Sequence, residues 1–186
     1  MEITRDLPLA VACILNITED HIDRHQSFAG YVSAKQKIFT RADAVVVNRD
    51  DSNTYALPSM RYDASVSQFT LHDSATNGDF WQDEQGVKCL NNLLISVSDL
   101  HMPLPHMMLN MQFVLAVHFC LELPFAPAVE ALLRYKGLPH RFEFVAQRDN
   151  VQFINDSKAT NPGACIAALA SANYLNLRTI LIAGGE

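Results

Sequence analysis

Seven of the ten residues in Asn16-Ile17-Thr18-Glu19-Asp20-His21-Ile22-Asp23-Arg24-His25 carry carboxylate, imidazole, amide or guanidinium groups. They follow an apolar run, residues 9–15, that reads as a buried strand. A polar cluster just past the C-terminal end of a strand lies where open α/β sheets hold their ligands. The chemistry suggested is enzymatic, with phosphate and metal handling. Within it, His21 pairs with Lys35, which falls about two turns into the helix expected next. In a strand–helix–strand unit the two can approach one crevice, with His21 a metal ligand and Lys35 a charge partner. A bare ammonium cannot bind Mg²⁺, which wants oxygen ligands; carbamylation by CO₂ would give Lys35 a carboxylate-like group. On spacing alone the plainer alternative, a surface loop and a solvated lysine, is favoured.

Three further groups could carry chemistry. Asp156-Ser157-Lys158-Ala159-Thr160-Asn161 precedes a helix start with Pro162 in its first turn. Backbone N–H groups there favour anions and Lys158 adds charge, so a nucleotide or a carboxylate substrate would fit. An ordinary capping loop, with Thr160 or Asn161 as the cap, fits equally well. His140-Arg141 follows Gly137-Leu138-Pro139, and an Arg at a domain junction can reach a phosphate when domains close. A rigid linker with a solvated Arg is the favoured alternative. Asn110 sits in an otherwise apolar helix, where it could read a ligand edge or be a satisfied core amide, the commoner case. His72 and His101 have no convincing partners, and His118 reads as a core histidine. The chain contains no GxxxxGK[ST], GxSxG, HExxH or GxGxxG run.

The elements that must position these groups read as α/β. Ser27 can cap a helix running to about residue 39, and residues 44–47 form a second short strand. Together with residues 9–15 this predicts a parallel βαβ unit. Residues 67–71 alternate as a strand. Residues 79–82 and 87–90 predict a hairpin with Gly86 in its turn. Residues 93–105 read as irregular. Helices follow at 106–121 and 126–135, separated by Pro124. Residues 137–143 break the helical pattern and mark a junction between domains 1–136 and 137–186. Beyond it lie a hairpin (142–147 and 151–154), a small-residue helix (163–174) and a buried strand (179–183).

A chain of 186 residues, 49% apolar, suffices for one domain or one domain plus part of another. The net charge of −6 leaves no basic surplus to displace counterions, which argues against nucleic acid as a partner. Cys13, Cys89, Cys120 and Cys165 are far apart, form no CxxC pair and read as reduced, buried thiols of a cytoplasmic protein. No signal peptide is visible. The longest apolar region, residues 104–133, is broken by His106, Asn110, His118, Glu122 and prolines, so no membrane span is expected.

Three segments together, residues 15–25, Tyr31-Val32-Ser33-Ala34-Lys35 and Val46-Val47-Asn48, resemble the central domain of the Mur ligases. Residues 137–143 and 155–162 narrow the resemblance to the D-glutamate-adding branch of that family. It implies part of a central ATPase-type sheet with helices, then the start of a Rossmann-like C-terminal domain. It implies cofactors ATP and Mg²⁺, with UDP-N-acetylmuramoyl-L-alanine and D-glutamate as substrates. The reaction implied is amide-bond formation through an acyl phosphate, in peptidoglycan precursor synthesis, by a cytoplasmic enzyme monomeric at full length. Carried over by position, His21 and Lys35 (as a carbamate) match the metal site and catalytic lysine. Asn110, Arg141 and Asp156 match residues at the nucleotide, and Lys158 and Thr160 match residues facing D-glutamate. The family's phosphate loop and UDP-binding domain are absent, and His106-Met107 stands where the family usually has His-Asn. Met1-Glu2 aligns with the end of the family's Ser-Ser-Phe-Gln-Leu-Glu stretch. The expectation is therefore an incomplete piece, marginally stable and inactive alone. A non-catalytic binding module, or a Mur-type ligase for another amino acid, are the alternatives.

Overall fold

The computed structural model describes residues 7–20, 22–54, 65–69, 79–90, 92–101 and 103–184. The chain separates into two compact units, Met1–Tyr135 and Lys136–Glu186.

The first unit begins with the expected βαβ motif. Strand β1 (Leu9–Ile14) leads through a short helix α1 (Ile22–His25) and helix α2 (Phe28–Gln36) to β2 (Ala42–Asn48). The two strands are parallel, with Val11 opposite Ala44 and Cys13 opposite Val46. Ser27, in extended conformation, caps α2: its Oγ accepts the Gly30 N–H at 3.1 Å. A Cβ on Gly30 would lie 2.7 Å from the His25 carbonyl oxygen, so no larger residue fits that turn. The helix ends three residues earlier than the sequence pattern suggests and tightens into a 3-10 turn, Lys37–Arg41. That tightening seats Phe39 in the core at 0% exposure, and Thr40 Oγ1 donates to the Lys37 carbonyl at 2.9 Å.

A six-stranded sheet follows in sequence order, β1 to β6. Strand β3 (Ser65–Phe69) runs parallel to β2, and β4 (Phe80–Asp83) pairs parallel to β3 through Phe69 and Phe80. Strands β5 (Gly86–Cys89) and β6 (Asn92–Ser96) complete it antiparallel. The expected strand at 67–71 is therefore offset by two residues, and residues 70 and 71 lie outside the described ones, as does His72. Strand β6 corrects the reading of residues 93–105 as irregular. Five residues show little alternation by themselves; pairing with β5 makes the strand and buries Ile95 to 1% exposure. A 3-10 turn (Val97–Asp99) then leads out of the sheet.

Gly86 stands where the hairpin needs it, but not for the turn alone. Its φ is +145°, and a Cβ would lie 1.9 Å from the Ile95 carbonyl oxygen on β6. The hairpin is pinned from the side. Asp83 Oδ1 accepts the N–H groups of Gln85 and Gly86 at 2.9 and 3.2 Å. Lys88 forms an ion pair with Asp83 and lies 4.6 Å from the centroid of the Trp81 ring. Partial burial works to raise the Asp83 pKa, but the Lys88 hydrogen bond and the two amides outweigh it and hold the carboxyl below its usual range.

Side chains alternate across the sheet. Val45 and Val47 join Ala12, Ile14, Ile17, Tyr31 and Phe39 on one face. Val46 joins Phe80, Val87, Ile95, Met108, Met111 and Leu115 on the other. Helix α3 (Pro105–Cys120) covers that second face, and α4 (Phe125–Arg134) packs against α3. Phe80 meets Phe119 and Phe125 edge-on at 6.0 and 6.3 Å. Beneath α3, Gln112 is fully buried and donates through Nε2 to Gln82 Oε1 at 2.9 Å. His118, expected in the core, is half-buried with its Nδ1 3.0 Å from the Val114 carbonyl oxygen. The four cysteines are free thiols, but of those expected to be buried only Cys89 is; Cys13, Cys120 and Cys165 are half-buried. Burial, aided by neighbouring Cys120, pushes the Cys13 thiol up to about 11.

The second unit holds β7 (Glu143–Arg148) and β8 (Val151–Asn155), antiparallel, and helix α5 (Pro162–Tyr174). Asp149 and Asn150 turn the hairpin with φ of 48° and 63°, the left-handed pair a two-residue connection demands. The strand expected at residues 179–183 does not form. The segment has no ladder partner among the described residues, and Ile180 and Ile182 are 89% and 95% exposed. An apolar run becomes a strand only beside another edge.

Candidate active site

The described candidate residues fall in both units. In the first, the C-terminal ends of β1 and β2 are tied together by the turn after β2. Asn48 Nδ2 donates to the Leu15 carbonyl at 2.8 Å, and Asp51 Oδ2 accepts the Ile17 N–H at 2.7 Å. The chain leaving β1 is thus held on both sides of Asn16. The turn is itself rigid. Thr54 Oγ1 donates towards the carbonyls of Asn48 and Asp51 at 2.9 Å each and accepts the Asn48 N–H at 3.1 Å. Asp51 Oδ1 takes the backbone and side-chain N–H groups of Asn53, both at 2.9 Å. Gln36 reaches across from α2 to the Asn53 carbonyl at 2.9 Å. Thr54 is fully buried and Asn48 nearly so.

Sequence reasoning passed over Asp51 and Thr54. The local signal was present, because Asn48, Asp51, Asn53 and Thr54 are the residue types that bond their own backbone in turns. Their long-range partners, Leu15 and Ile17, were not readable from spacing.

His21 lies outside the described residues. Lys35 is exposed in the last turn of α2, its Nζ 5.2 Å from the centroid of the Tyr31 ring. The His25 ring stands on the same tyrosine at 5.2 Å, tilted by 53°. Tyr31, four residues before Lys35, is thus the residue that fixes the lysine's surroundings, and the i,i+4 spacing of an aromatic and a lysine was its signal. An ammonium over an aromatic face offers Mg²⁺ no oxygen; a carbamate on the same nitrogen would. Among the described residues, no group of three or more His, Cys, Asp or Glu side chains is placed to hold a metal. Asn110 is exposed on α3, which removes the core-amide alternative.

In the second unit the structure brings Arg141, Asp156, Lys158 and Thr160 into one hydrogen-bonded knot. The Phe142 N–H donates to Asp156 Oδ1 at 3.1 Å, and the Lys158 N–H donates to the His140 carbonyl at 3.1 Å. The Thr160 N–H then donates to the Lys158 carbonyl at 3.0 Å. Glu143 Oε2 accepts the His140 N–H at 2.8 Å, and Asn155 Nδ2 sits 2.9 Å from His140 Nδ1. His140 and Phe142, on either side of Arg141, have φ of 66° and 47°. Left-handed backbone at two non-glycine residues is costly and persists where surroundings impose it. Here Asp156, Glu143, Asn155 and the buried Phe142 ring impose it, and the exposed Arg141 is presented between them. Lys158 and Thr160 are exposed at the head of α5. Asn161, not Thr160, is the cap, its Oδ1 accepting the Ala164 N–H at 2.9 Å. That leaves the Thr160 hydroxyl outside the capping role.

No helix among the described residues is long and apolar enough to cross a membrane.

Comparison with known proteins follows the same lines. The sequence profile of the Mur ligase middle domain matches residues 2–117. The chain is 36% identical over 188 residues to UDP-N-acetylmuramoylalanine–D-glutamate ligase of Alcanivorax borkumensis, covering 100% of this chain and 41% of that protein. It is 38% identical over 192 residues to the protein of the same name in Chromohalobacter salexigens, again covering 41% of its length. The chain therefore spans about two-fifths of the relatives it matches. Among solved structures it resembles MurF from Acinetobacter baumannii, with a TM-score of 0.70 at 21% identity over 88% of this chain and 37% of that one. A pseudomurein peptide ligase type C from Methanothermus fervidus gives 0.68 at 17% identity over 87% of this chain and 40% of that one. A profile match over more than half the residues, carried on this sheet and these turns, places the chain in the Mur ligase family.

Proposed function

We propose that the chain is a working part of an ATP-dependent ligase that joins D-glutamate to UDP-N-acetylmuramoyl-L-alanine through an acyl phosphate. Residues 1–136 act as part of its central domain and residues 137–186 as the start of its C-terminal domain. The observation that carries this reading is the knot at residues 140–160, which presents Arg141, Lys158 and Thr160 on one hydrogen-bonded scaffold. The similarity to ligases named for D-glutamate supports it.

In this reading Arg141 faces phosphate oxygens and offsets their charge, while Asp156 fixes the backbone that presents it. Lys158 and Thr160 bind the D-glutamate carboxylates by charge and hydroxyl donation. Asn110, exposed on α3, meets the nucleotide. His21 and carbamylated Lys35 would hold Mg²⁺, which when bound neutralises charge on phosphoryl oxygens. The clamp of Asn48 and Asp51 holds the backbone where the chain leaves β1.

The test is a chimera: residues 1–186 replace the matching stretch of the Alcanivorax borkumensis relative, and phosphate release is measured with ATP, Mg²⁺ and the UDP-muramoyl-alanine substrate. Release that depends on D-glutamate is expected, and Lys158→Ala within the chimera should raise the D-glutamate KM more than it lowers kcat. A folded chimera that prefers another amino acid, or that turns over without one, overturns the reading. The 186 residues alone, lacking a GxxxxGK[ST] loop, are expected to release no phosphate.

A further inference from the structure

Arg141 is carried between two residues in a costly backbone conformation, and the two are held by different means. Phe142, with φ of 47°, has its ring buried and its N–H taken by Asp156. His140, with φ of 66°, is exposed, so burial does not impose its left-handed backbone. A carboxylate does. Glu143 Oε2 accepts the His140 N–H at 2.8 Å and stands 3.9 Å from the His140 ring Nδ1. The same oxygen accepts from Asn155 Nδ2 at 3.3 Å, and Asn155 is the residue opposite Glu143 in the β7–β8 ladder. Asn155 in turn sits 2.9 Å from His140 Nδ1 and accepts the Ser157 N–H through Oδ1 at 3.1 Å. One oxygen on a strand therefore ties the turn that presents Arg141 to the residue that shapes the start of the Lys158 loop.

We propose, resting on the D-glutamate ligase reading, that Glu143 is a positioning residue: its carboxylate fixes the His140 backbone and so aims the Arg141 guanidinium at phosphate oxygens. Glu143 itself faces no ligand. A carboxylate turned towards phosphates would repel them, and this one is spent on a backbone N–H and an amide. What the position needs is an oxygen acceptor. Without one, the His140 N–H loses its side-chain partner and the residue relaxes towards negative φ. That rotates the peptide just before Arg141 and carries the guanidinium off its target. A shift of about 1 Å in a group that offsets transition-state charge can cost on the order of 100-fold in rate.

Two measurements test this. In the 186-residue chain, Glu143→Ala should speed hydrogen exchange at the His140 amide on the order of tenfold, the loss of one charge-assisted bond. The Ala164 and Cys165 amides of α5 should keep their rates, which shows that the unit stays folded. Glu143→Gln keeps an oxygen acceptor and should exchange at His140 close to the parent rate. In the chimera with the Alcanivorax borkumensis relative, Glu143→Ala should lower kcat by up to about 100-fold, with smaller changes in the KM for ATP and for D-glutamate. Glu143→Gln should restore most of that loss. A His140 amide that exchanges equally fast in parent and Glu143→Ala overturns the proposal. So does an active parent chimera whose Glu143→Ala variant keeps its kcat, or loses only in KM. A Gln variant as slow as the Ala variant overturns the acceptor role. A folded parent chimera that releases no phosphate with D-glutamate overturns the ligase reading, and with it the part in catalysis given to Glu143.

Discussion

The two units solve the same problem with unequal means. The first buries both faces of its sheet, with Phe39, Val45, Val46, Phe80 and Leu115 fully enclosed. The second buries Phe142, Ser171 and Ala172 among its described residues and leaves Phe144, Phe153 and Ile166 at the surface. Yet the second, like the turn after β2 in the first, holds its loop from 140 to 160 by directed hydrogen bonds. Local hydrogen bonding can therefore shape a binding loop where packing does not enclose a core. Apolar burial is what gives a domain its cooperative stability, so the two units should respond differently to substitution.

The sharpest contrast is between two phenylalanines. Phe80→Ala should cost about 3–5 kcal/mol, because the cavity opens among α3, α4 and the sheet. Phe153→Ala, at a residue 52% exposed, should change stability by less than about 0.5 kcal/mol. Urea denaturation followed by circular dichroism measures both; equal costs would erase the distinction between the units. Asp51→Ala should cost about 1–3 kcal/mol, since it strands the Ile17 and Asn53 donors. The informative readout there is exchange of the Ile17 amide, which should quicken far more than that of amides in β2. Asn161→Ala should weaken the start of α5 by about 1 kcal/mol, seen as faster exchange at Ala164 and Cys165 with no change in the first unit.

The smallest effect is a pH dependence. Cys13 keeps its proton to about pH 11 when folded, whereas its ordinary value is 9.0. Its contribution is fully present below pH 9 and is lost as pH rises through 11, because over that interval the unfolded chain gives up the proton first. Comparing urea midpoints of the parent and Cys13→Ala below pH 9 and near pH 11 should show the parent losing more.

What was legible in the sequence was what neighbours in the chain decide. Ser27 marks its helix start, and Asn161 is one of the two candidate caps ahead of Pro162; Gly86 and the pair Asp149-Asn150 sit at their hairpins; the βαβ unit follows from two apolar runs and the helix between them. What was not legible depends on residues far apart. Strand β6 exists because β5 lies beside it, whereas the 179–183 run has no ladder partner among the described residues. The hold on the β1 exit links Asn48 to Leu15 and Asp51 to Ile17, contacts that span more than thirty positions. In the candidate site, the Asp156 and Lys158 loop was readable because its bonds to His140 and Phe142 join two segments already marked by glycine, proline and Asx residues. Tyr31 under Lys35 was readable from its spacing and was passed over.

The chain has a single tryptophan, and it lies in the first unit beneath the Lys88 ammonium, with its indole N–H given to the Leu90 carbonyl. Tryptophan emission, excited selectively, is therefore a private channel to the β4–β5 hairpin. A melting curve recorded on that emission would look like one clean transition even if the C-terminal hairpin and α5 had come apart many degrees earlier.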